Sequence, residues 1–143
     1  MLSRRIHHGP PRGGASAVEL ACILPVVIAL ALGTVDLGRV AHYENVLSNA
    51  ARVGADYGAT HRLYSYNRTQ WESRIIARVQ QEAAHVPQFD ASRLEVLVET
   101  IVQADGTLRI DVEAAYPFEM IVDWPGLPRD IDLRRRVCEQ EYR

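Results

Sequence analysis

The chain has 143 residues, with 16 basic and 18 acidic side chains and a formal net charge of −2. Three arginines and no acid lie in residues 1–14, so the remainder carries an acidic excess that disfavours nucleic-acid binding. Once a leader and one apolar run are set aside, about 105 residues remain, enough for one small domain with its own core.

Residues 1–14 are interpreted as a basic leader without a fold of its own. They contain three glycines and two prolines and show no apolar periodicity. His7 and His8 are adjacent, but a metal site needs at least about three protein ligands. We therefore expect no metal in the leader.

Residues 15–35 are predicted to form a transmembrane helix. They hold one charged side chain, Glu19, and as a helix would be about 31 Å long, which matches the apolar thickness of a bilayer. Arginines precede the run and Asp36 is the first acid after it, so the positive-inside rule places the N-terminus in the cytoplasm. The chain is then expected to be a single-pass protein of the inner membrane, with residues 36–143 outside.

A cleaved secretory signal peptide is the competing interpretation of the same run. Ala29-Leu30-Ala31 has the small residues of a signal peptidase site after an apolar core. Two features weigh against it: the carboxylate of Glu19 and a helical pattern that continues past Ala31. This alternative would give a released extracytoplasmic binding domain, and the same chain left uncut would give a membrane-anchored one.

The N-terminal part of the chain carries a pattern of glycines, acidic residues and small residues. It comprises Arg12-Gly13-Gly14, Glu19, Pro25, Gly33, Asp36, Arg39 and Asn49-Ala50-Ala51-Arg52-Val53-Gly54-Ala55. This pattern resembles the TadE-like pseudopilins, minor pilins of the tight-adherence (Flp) type IVb pilus system, although Leu20 stands where many relatives have an aromatic residue. The resemblance implies a pilin-like fold and cleavage by a prepilin peptidase between Gly14 and Ala15. It also implies that the partners are other pilin or pseudopilin subunits, the inner-membrane assembly platform and membrane lipid.

Gly14, Ala15 and Glu19 have the properties that such processing needs. Glycine on the scissile carbonyl side leaves an extended backbone unobstructed. After cleavage, the amine of Ala15 and the carboxylate of Glu19 would lie at i and i+4, on one helix face. Because an unpaired carboxylate in a bilayer is costly, Glu19 is expected to pair with its own amine or with that of a neighbouring subunit, which would set the assembly register. The alternative is a carboxylate at the headgroup boundary, near a helix N-terminus.

Small residues recur at every fourth position of the run and predict a helix-packing seam. Their spacing allows the close approach of a neighbouring helix, which lipid alone does not drive. Pro25 is tolerated in a membrane helix and is expected to bend it. The alternative is that alanine is simply common in this chain. The seam consists of Ala17, Ala21, Pro25, Ala29 and Gly33.

Helical periodicity continues beyond the span and predicts one helix from about Ala15 to Gly58. A second helix is predicted to begin at a capping box formed by Thr69 and Glu72 and to end near His85. The spacing of its apolar residues predicts that one side of this helix faces the core. The residues expected on that side are Trp71, Ile75, Val79 and Ala83.

Three segments of alternating residues predict an antiparallel sheet. A three-residue turn, Ala104-Asp105-Gly106, would oppose Val98 to Val112 and keep the apolar residues on one face. Phe118 to Pro128 is expected to be a surface connection before a last strand. The first strand has Leu94, Val96, Val98 and Val102 inward, the second Leu108, Ile110, Val112, Ala114 and Tyr116, and the last contains Ile131, Leu133, Arg135 and Val137.

No motif in the outer residues predicts catalysis, because metal-ligand spacings, phosphate-binding glycine loops and Gly-x-Ser-x-Gly are missing. Arg134-Arg135-Arg136 is expected to divide between the two faces of a strand and so to form no anion site. Cys22 and Cys138 are badly placed for a disulfide. We expect no catalytic residue, cofactor, metal or small-molecule substrate, and hence a structural subunit of fold class α+β.

Overall fold

The computed structural model describes residues 13–64, 66–87, 89–104 and 106–141. The leader arginines and histidines, and Asp105 of the predicted turn, lie outside the described residues. The predicted α+β class is confirmed: a long N-terminal apolar helix, a second helix and a three-stranded antiparallel sheet. The elements are helices α1 (Gly13–Thr60) and α2 (Arg68–Ala84), a 3₁₀ turn (Ala91–Arg93) and strands β1 (Glu95–Val102), β2 (Leu108–Glu119) and β3 (Asp130–Gln140).

The chain divides after Val35 into two compact units, and each is described by itself. In the first unit the apolar side chains of α1 are exposed, for example Leu20 at 62% and Leu30 at 67%. Within the described residues, α1 is the one helix long and apolar enough to cross a membrane, and an 18-residue stretch of it has a mean hydropathy of 2.4. So much exposed apolar surface requires lipid or protein to cover it.

In the second unit, α1 from Asp36 onward carries a stripe of apolar residues, four of them alanine, that forms one side of the core. Asn45, Asn49, Arg52 and Asp56 are exposed on the other side, as their spacing predicted. The buried stripe consists of Val46, Leu47, Ala50, Ala51, Ala55 and Ala59.

Helix α2 buries the four residues that its periodicity predicted, namely Trp71, Ile75, Val79 and Ala83. The predicted capping box is wrong. The helix begins at Arg68, so Thr69 is already inside it, and Glu72 pairs with Arg68 at 2.8 Å instead of reaching back to a cap. Asn67 occupies the N-cap position, but its Oδ1 accepts from the backbone amide of Tyr64 at 2.7 Å, which ties down the preceding loop.

The sheet has the order β1-β2-β3, with β2 in the centre. Val98 pairs with Val112, as predicted. The amide of Gln103 donates to the carbonyl of Thr107 at 2.9 Å, which closes the hairpin at the predicted place, and Gly106 takes a positive φ of 78°. This is the turn chemistry that keeps the apolar residues of both strands on one face.

Two details of the predicted strands are wrong. Phe118 is not in a surface connection but in β2, fully buried, because its ring packs against Tyr43 with a centroid distance of 5.4 Å. Val102 is 72% exposed, because it pairs with Leu108 at the turn end of the hairpin, where β1 leaves the core. The connection between β2 and β3 is therefore residues 120–129.

Candidate assembly site on the first helix

Gly14 and Ala15 lie in the first turn of α1, with exposed side-chain positions. A Cβ built on Gly14 would meet no atom within 4 Å, so packing in this structure does not require glycine there. The first amides of a helix lack intrahelical acceptors and helix ends fray, so this turn can open into an extended segment at little cost. The predicted junction therefore lies where a peptidase could engage the backbone.

Glu19 lies one turn beyond Ala15 on the exposed surface of α1, between Val18 at 64% exposure and Leu20 at 62%. Among the described residues, no cation pairs with its carboxylate. An exposed carboxylate in such an apolar helix is costly to leave unpaired inside a bilayer.

The predicted seam is carried by the continuous helix α1, which retains helical geometry through Pro25. Successive members of the row are rotated by about 40° around an ideal helix, so the row follows the inclined ridge of i±4 residues. A second helix crossing at one angle would contact part of this row at a time. Different members of the seam can therefore face different neighbours.

Asp36 is a buried carboxylate at the start of the second unit, with 3% of its surface exposed. Its Oδ1 accepts from the amide of Ile121 at 3.1 Å and from Arg39 Nη1 at 3.2 Å, and its Oδ2 accepts from Trp124 Nε1 at 3.3 Å. The guanidinium of Arg39 also lies 4.8 Å from the ring centroid of Phe118. Asp36 therefore joins α1 to the β2–β3 loop, a role that sequence reasoning missed, although the Asp36–Arg39 spacing of one helical turn was a signal for the ion pair.

The outer face of the sheet carries a second buried carboxylate, Asp111, also 3% exposed. Arg109 donates to both of its oxygens at 2.8 and 3.1 Å, Arg136 lies 4.0 Å away, and Cys138 lies opposite it on β3. Burial raises the pKa of Asp111, but hydrogen bonds from Arg109 and Cys138 and the positive charges of Arg109 and Arg136 outweigh this effect and hold the pKa below its usual range.

The arginine run of β3 divides between the two faces of the sheet, as predicted. Arg135 pairs with Glu44 of α1, whereas Arg134 and Arg136 pair with Glu113 on the opposite face. Glu113 and the charge of Glu99 raise the pKa of Arg136. The arginines are therefore neutralised by carboxylates of the same domain, which supports no separate anion site. Cys22 and Cys138 are both free thiols.

Glycines on the outer half of α1 pack inside the domain. A Cβ on Gly58 would come within 3.0 Å of Ile75 Cδ1 and 3.2 Å of Ile110 Cγ2, and one on Gly54 would overlap the Val79 Cγ2 methyl. These small residues let α1 approach α2 and β2 closely. Small residues of α1 are therefore packed within the second unit, whereas in the apolar run Ala17, Ala21, Pro25 and Ala29 are exposed and Gly33 is half-buried.

A comparison with protein-family models finds a match to part of the chain. The model of the TadE-like protein family matches residues 14–56 of the chain. That segment begins at Gly14 and contains Glu19, the residues of the predicted seam and Asp36. No curated protein and no solved structure matches the chain.

Proposed function

The chain is TadE-like over residues 14–56, and from this premise we propose that it is a pseudopilin. It serves as a minor structural subunit in the assembly of a tight-adherence pilus or of its secretion platform. A prepilin peptidase first removes residues 1–14. The role is structural and not catalytic, and the partners are the peptidase, neighbouring pilin or pseudopilin subunits, the inner-membrane assembly platform and lipid.

The family match carries this proposal, because it covers the whole set of residues that an assembly helix needs. The matched segment starts at Gly14 and continues through the seam into the helix of the second unit. The large apolar side chains of this segment that lie in residues 15–35 are exposed, so they are available both to a bilayer before assembly and to neighbouring subunits afterwards. The chain starts as a single-pass protein with its N-terminus in the cytoplasm and its second unit outside.

In this proposal, Glu19 sets the position of the helix along the axis of a neighbouring helix. An exposed carboxylate in an apolar helix is costly to leave unpaired, and cleavage supplies a matching cation in the amine of Ala15. Pairing of Glu19 with the amine of a neighbouring subunit would fix the register between two helices that are otherwise apolar. Buried charges are best attested in this use, as devices that select one alignment.

Intact-mass measurement of the mature protein tests the proposal. The protein is produced in a host that carries tight-adherence pilus genes and in the same host with the prepilin peptidase gene deleted. Loss of residues 1–14 only when the peptidase is present is the expected result. Cleavage after Ala31 in both hosts would identify a signal peptidase substrate and a released binding domain. Full length in both would identify a simple membrane anchor.

A further inference from the structure

Outside the apolar run, the β2–β3 loop exposes large apolar side chains. Ile121 is 57% exposed and Leu127 58%, and Leu37, on α1, is 71% exposed. Trp124 is half-buried at the same loop. The amide of Leu127 donates to the carbonyl of Trp124 at 3.1 Å across Pro125 and Gly126, whose φ is 86°. Proline followed by a glycine of positive φ is the signature of a type II turn, so the loop has a defined shape.

Asp36 holds this loop at one place along α1. Its carboxylate binds the amide of Ile121 and the indole N–H of Trp124, at 3.1 and 3.3 Å. Asp36 follows Val35, the last residue of the apolar run, by a single peptide bond. The loop is therefore fixed to the first residue beyond the proposed membrane span.

The charges at the loop cancel in pairs. Asp36 pairs with Arg39 at 3.2 Å, and Asp123 pairs with Arg129 at 3.6 Å. No excess of positive charge is present in residues 120–129 to select an anionic lipid. Any attraction of this loop to a surface must therefore come from its apolar side chains and its indole ring.

From these observations we propose that residues 120–129 lie on the outer surface of the bilayer that α1 crosses, with Ile121, Trp124 and Leu127 in the interfacial region of the lipid. Trp side chains favour this depth, since the ring is apolar and the N–H is polar. Here the N–H is bound to Asp36, whose own charge is satisfied by Arg39 and by the loop amide. The interaction is insensitive to lipid charge. The inference rests on the membrane span of the proposed function.

The two tryptophans of the chain make a matched test. Trp71 Nε1 donates to the carbonyl of His61 at 2.7 Å, just past the end of α1. From Asp36 to Thr60 a helix rises by about 36 Å, so along α1 the anchor points of the two tryptophans are far apart. The full chain is reconstituted into phosphatidylcholine vesicles, with and without bromine atoms at the upper part of the acyl chains. In the Trp71→Phe variant the tryptophan emission comes from Trp124 alone, and in the Trp124→Phe variant it comes from Trp71 alone.

The Trp71→Phe protein is expected to lose roughly half of its emission in the brominated vesicles, because an interfacial ring lies near the bromines. Trp124→Phe should show no such quenching. If Trp71→Phe does not fold, the difference between the native chain and Trp124→Phe measures the same quantity. Adding anionic phosphatidylglycerol to the vesicles should leave the quenching unchanged, and a dependence on it would contradict an apolar mode of contact.

Flotation of the vesicles separates failure of the span from failure of the loop placement. A chain that floats with the vesicles, but whose Trp124 is unquenched by bromine and open to aqueous acrylamide, keeps the span and overturns the loop proposal. Trp124 shielded from both quenchers would overturn it in favour of a protein neighbour covering the loop. A chain that does not float would overturn the span and the loop placement together.

Discussion

Gly54 of α1 lies so close to Val79 of α2 that a Cβ at position 54 would overlap the Val79 Cγ2 methyl. Val79 is fully buried and is packed within the same core cluster as Val112 of β2. The side chain of Val79 cannot move aside without disturbing that core. The contact fixes how closely α1 and α2 approach each other in the second unit.

Gly54→Ala is therefore expected to destabilise the domain by about 1–3 kcal/mol, the usual cost of overpacking a core. Gly38→Ala is the matched control, because a Cβ at Gly38 would meet nothing within 4 Å. In the same helix it should be neutral or stabilising by up to about 1 kcal/mol, through helix propensity alone. Urea unfolding of the full chain in detergent micelles measures the change in unfolding free energy for each of the two variants. If the two substitutions changed the unfolding free energy equally, the close approach of Gly54 to Val79 would not limit the residue at position 54.

Asp36→Asn is expected to loosen the β2–β3 loop. The amide group replaces one acceptor oxygen with a donor, so either the Ile121 amide or the Trp124 indole loses its partner, at a cost of about 1–3 kcal/mol. Hydrogen exchange at the Ile121 amide should accelerate. Asp123→Asn is the control, since Asp123 is 75% exposed and its pair with Arg129 at 3.6 Å contributes at most about 1 kcal/mol. Unchanged exchange at Ile121 in Asp36→Asn would be inconsistent with the observed bonds.

The buried Asp111 predicts a stability that depends on pH in the acid range. Its pKa is lowered in the folded state relative to an unfolded value of about 3.9, so the unfolded chain binds the proton more readily. The contribution of Asp111 is therefore complete above the unfolded pKa and is lost as the pH falls through the folded pKa. Urea midpoints measured from pH 6 downward should fall less steeply for Asp111→Asn than for the native chain. If the urea midpoints of the two proteins fell in parallel with pH, the lowered pKa assigned to Asp111 would be refuted.

Gly14→Val is expected to block removal of the leader, because the branched side chain obstructs an extended backbone at the scissile carbonyl. Gly38→Val tests whether the effect belongs to the junction, since both glycines have open space around them in the structure. Intact mass in the host with the peptidase should show full-length Gly14→Val and trimmed Gly38→Val. Normal trimming of Gly14→Val would place the junction elsewhere.

Glu19→Val should be trimmed normally and yet fail to enter assemblies. The substitution leaves the junction intact and removes the proposed partner of the Ala15 amine. The amount of the variant in sheared surface pili or in the isolated assembly platform, relative to its amount in the membrane, measures the effect. Incorporation at the native level would exclude a role for Glu19 in register, while normal trimming would still support the processing step.

The elements of the fold were predictable because they depend on local spacing. The buried residues Trp71, Ile75, Val79 and Ala83 follow from a period of 3.6, and the pairing of Val98 with Val112 follows from a period of two and one turn. The errors arose where a distant contact decides the outcome. Phe118 joined β2 because Tyr43 of α1 covers it, and no local pattern contains that information.

In the candidate site, too, local spacing supports some predictions, whereas distant contacts decide other features. The roles of Gly14, Ala15 and Glu19 rest on residue type and on spacing within one helical turn, and they stay predictions. The burial of Asp36 and Asp111 was not predictable, because a carboxylate in a sequence normally indicates an exposed position. Each is tolerated inside because arginine and hydrogen-bond donors surround it, some of them from the far end of the chain.

The hydrogen bonds of Asp36 also order the events of folding. The sheet is built from consecutive hairpins, so its strands can pair as soon as they are synthesised, whereas Asp36 meets Ile121 and Trp124 across separations of 85 and 88 residues. Contacts that close such long loops form late, after local contacts have reduced the freedom of the chain. The closure at Asp36 is therefore expected to form late in folding, after the strands of the sheet have paired.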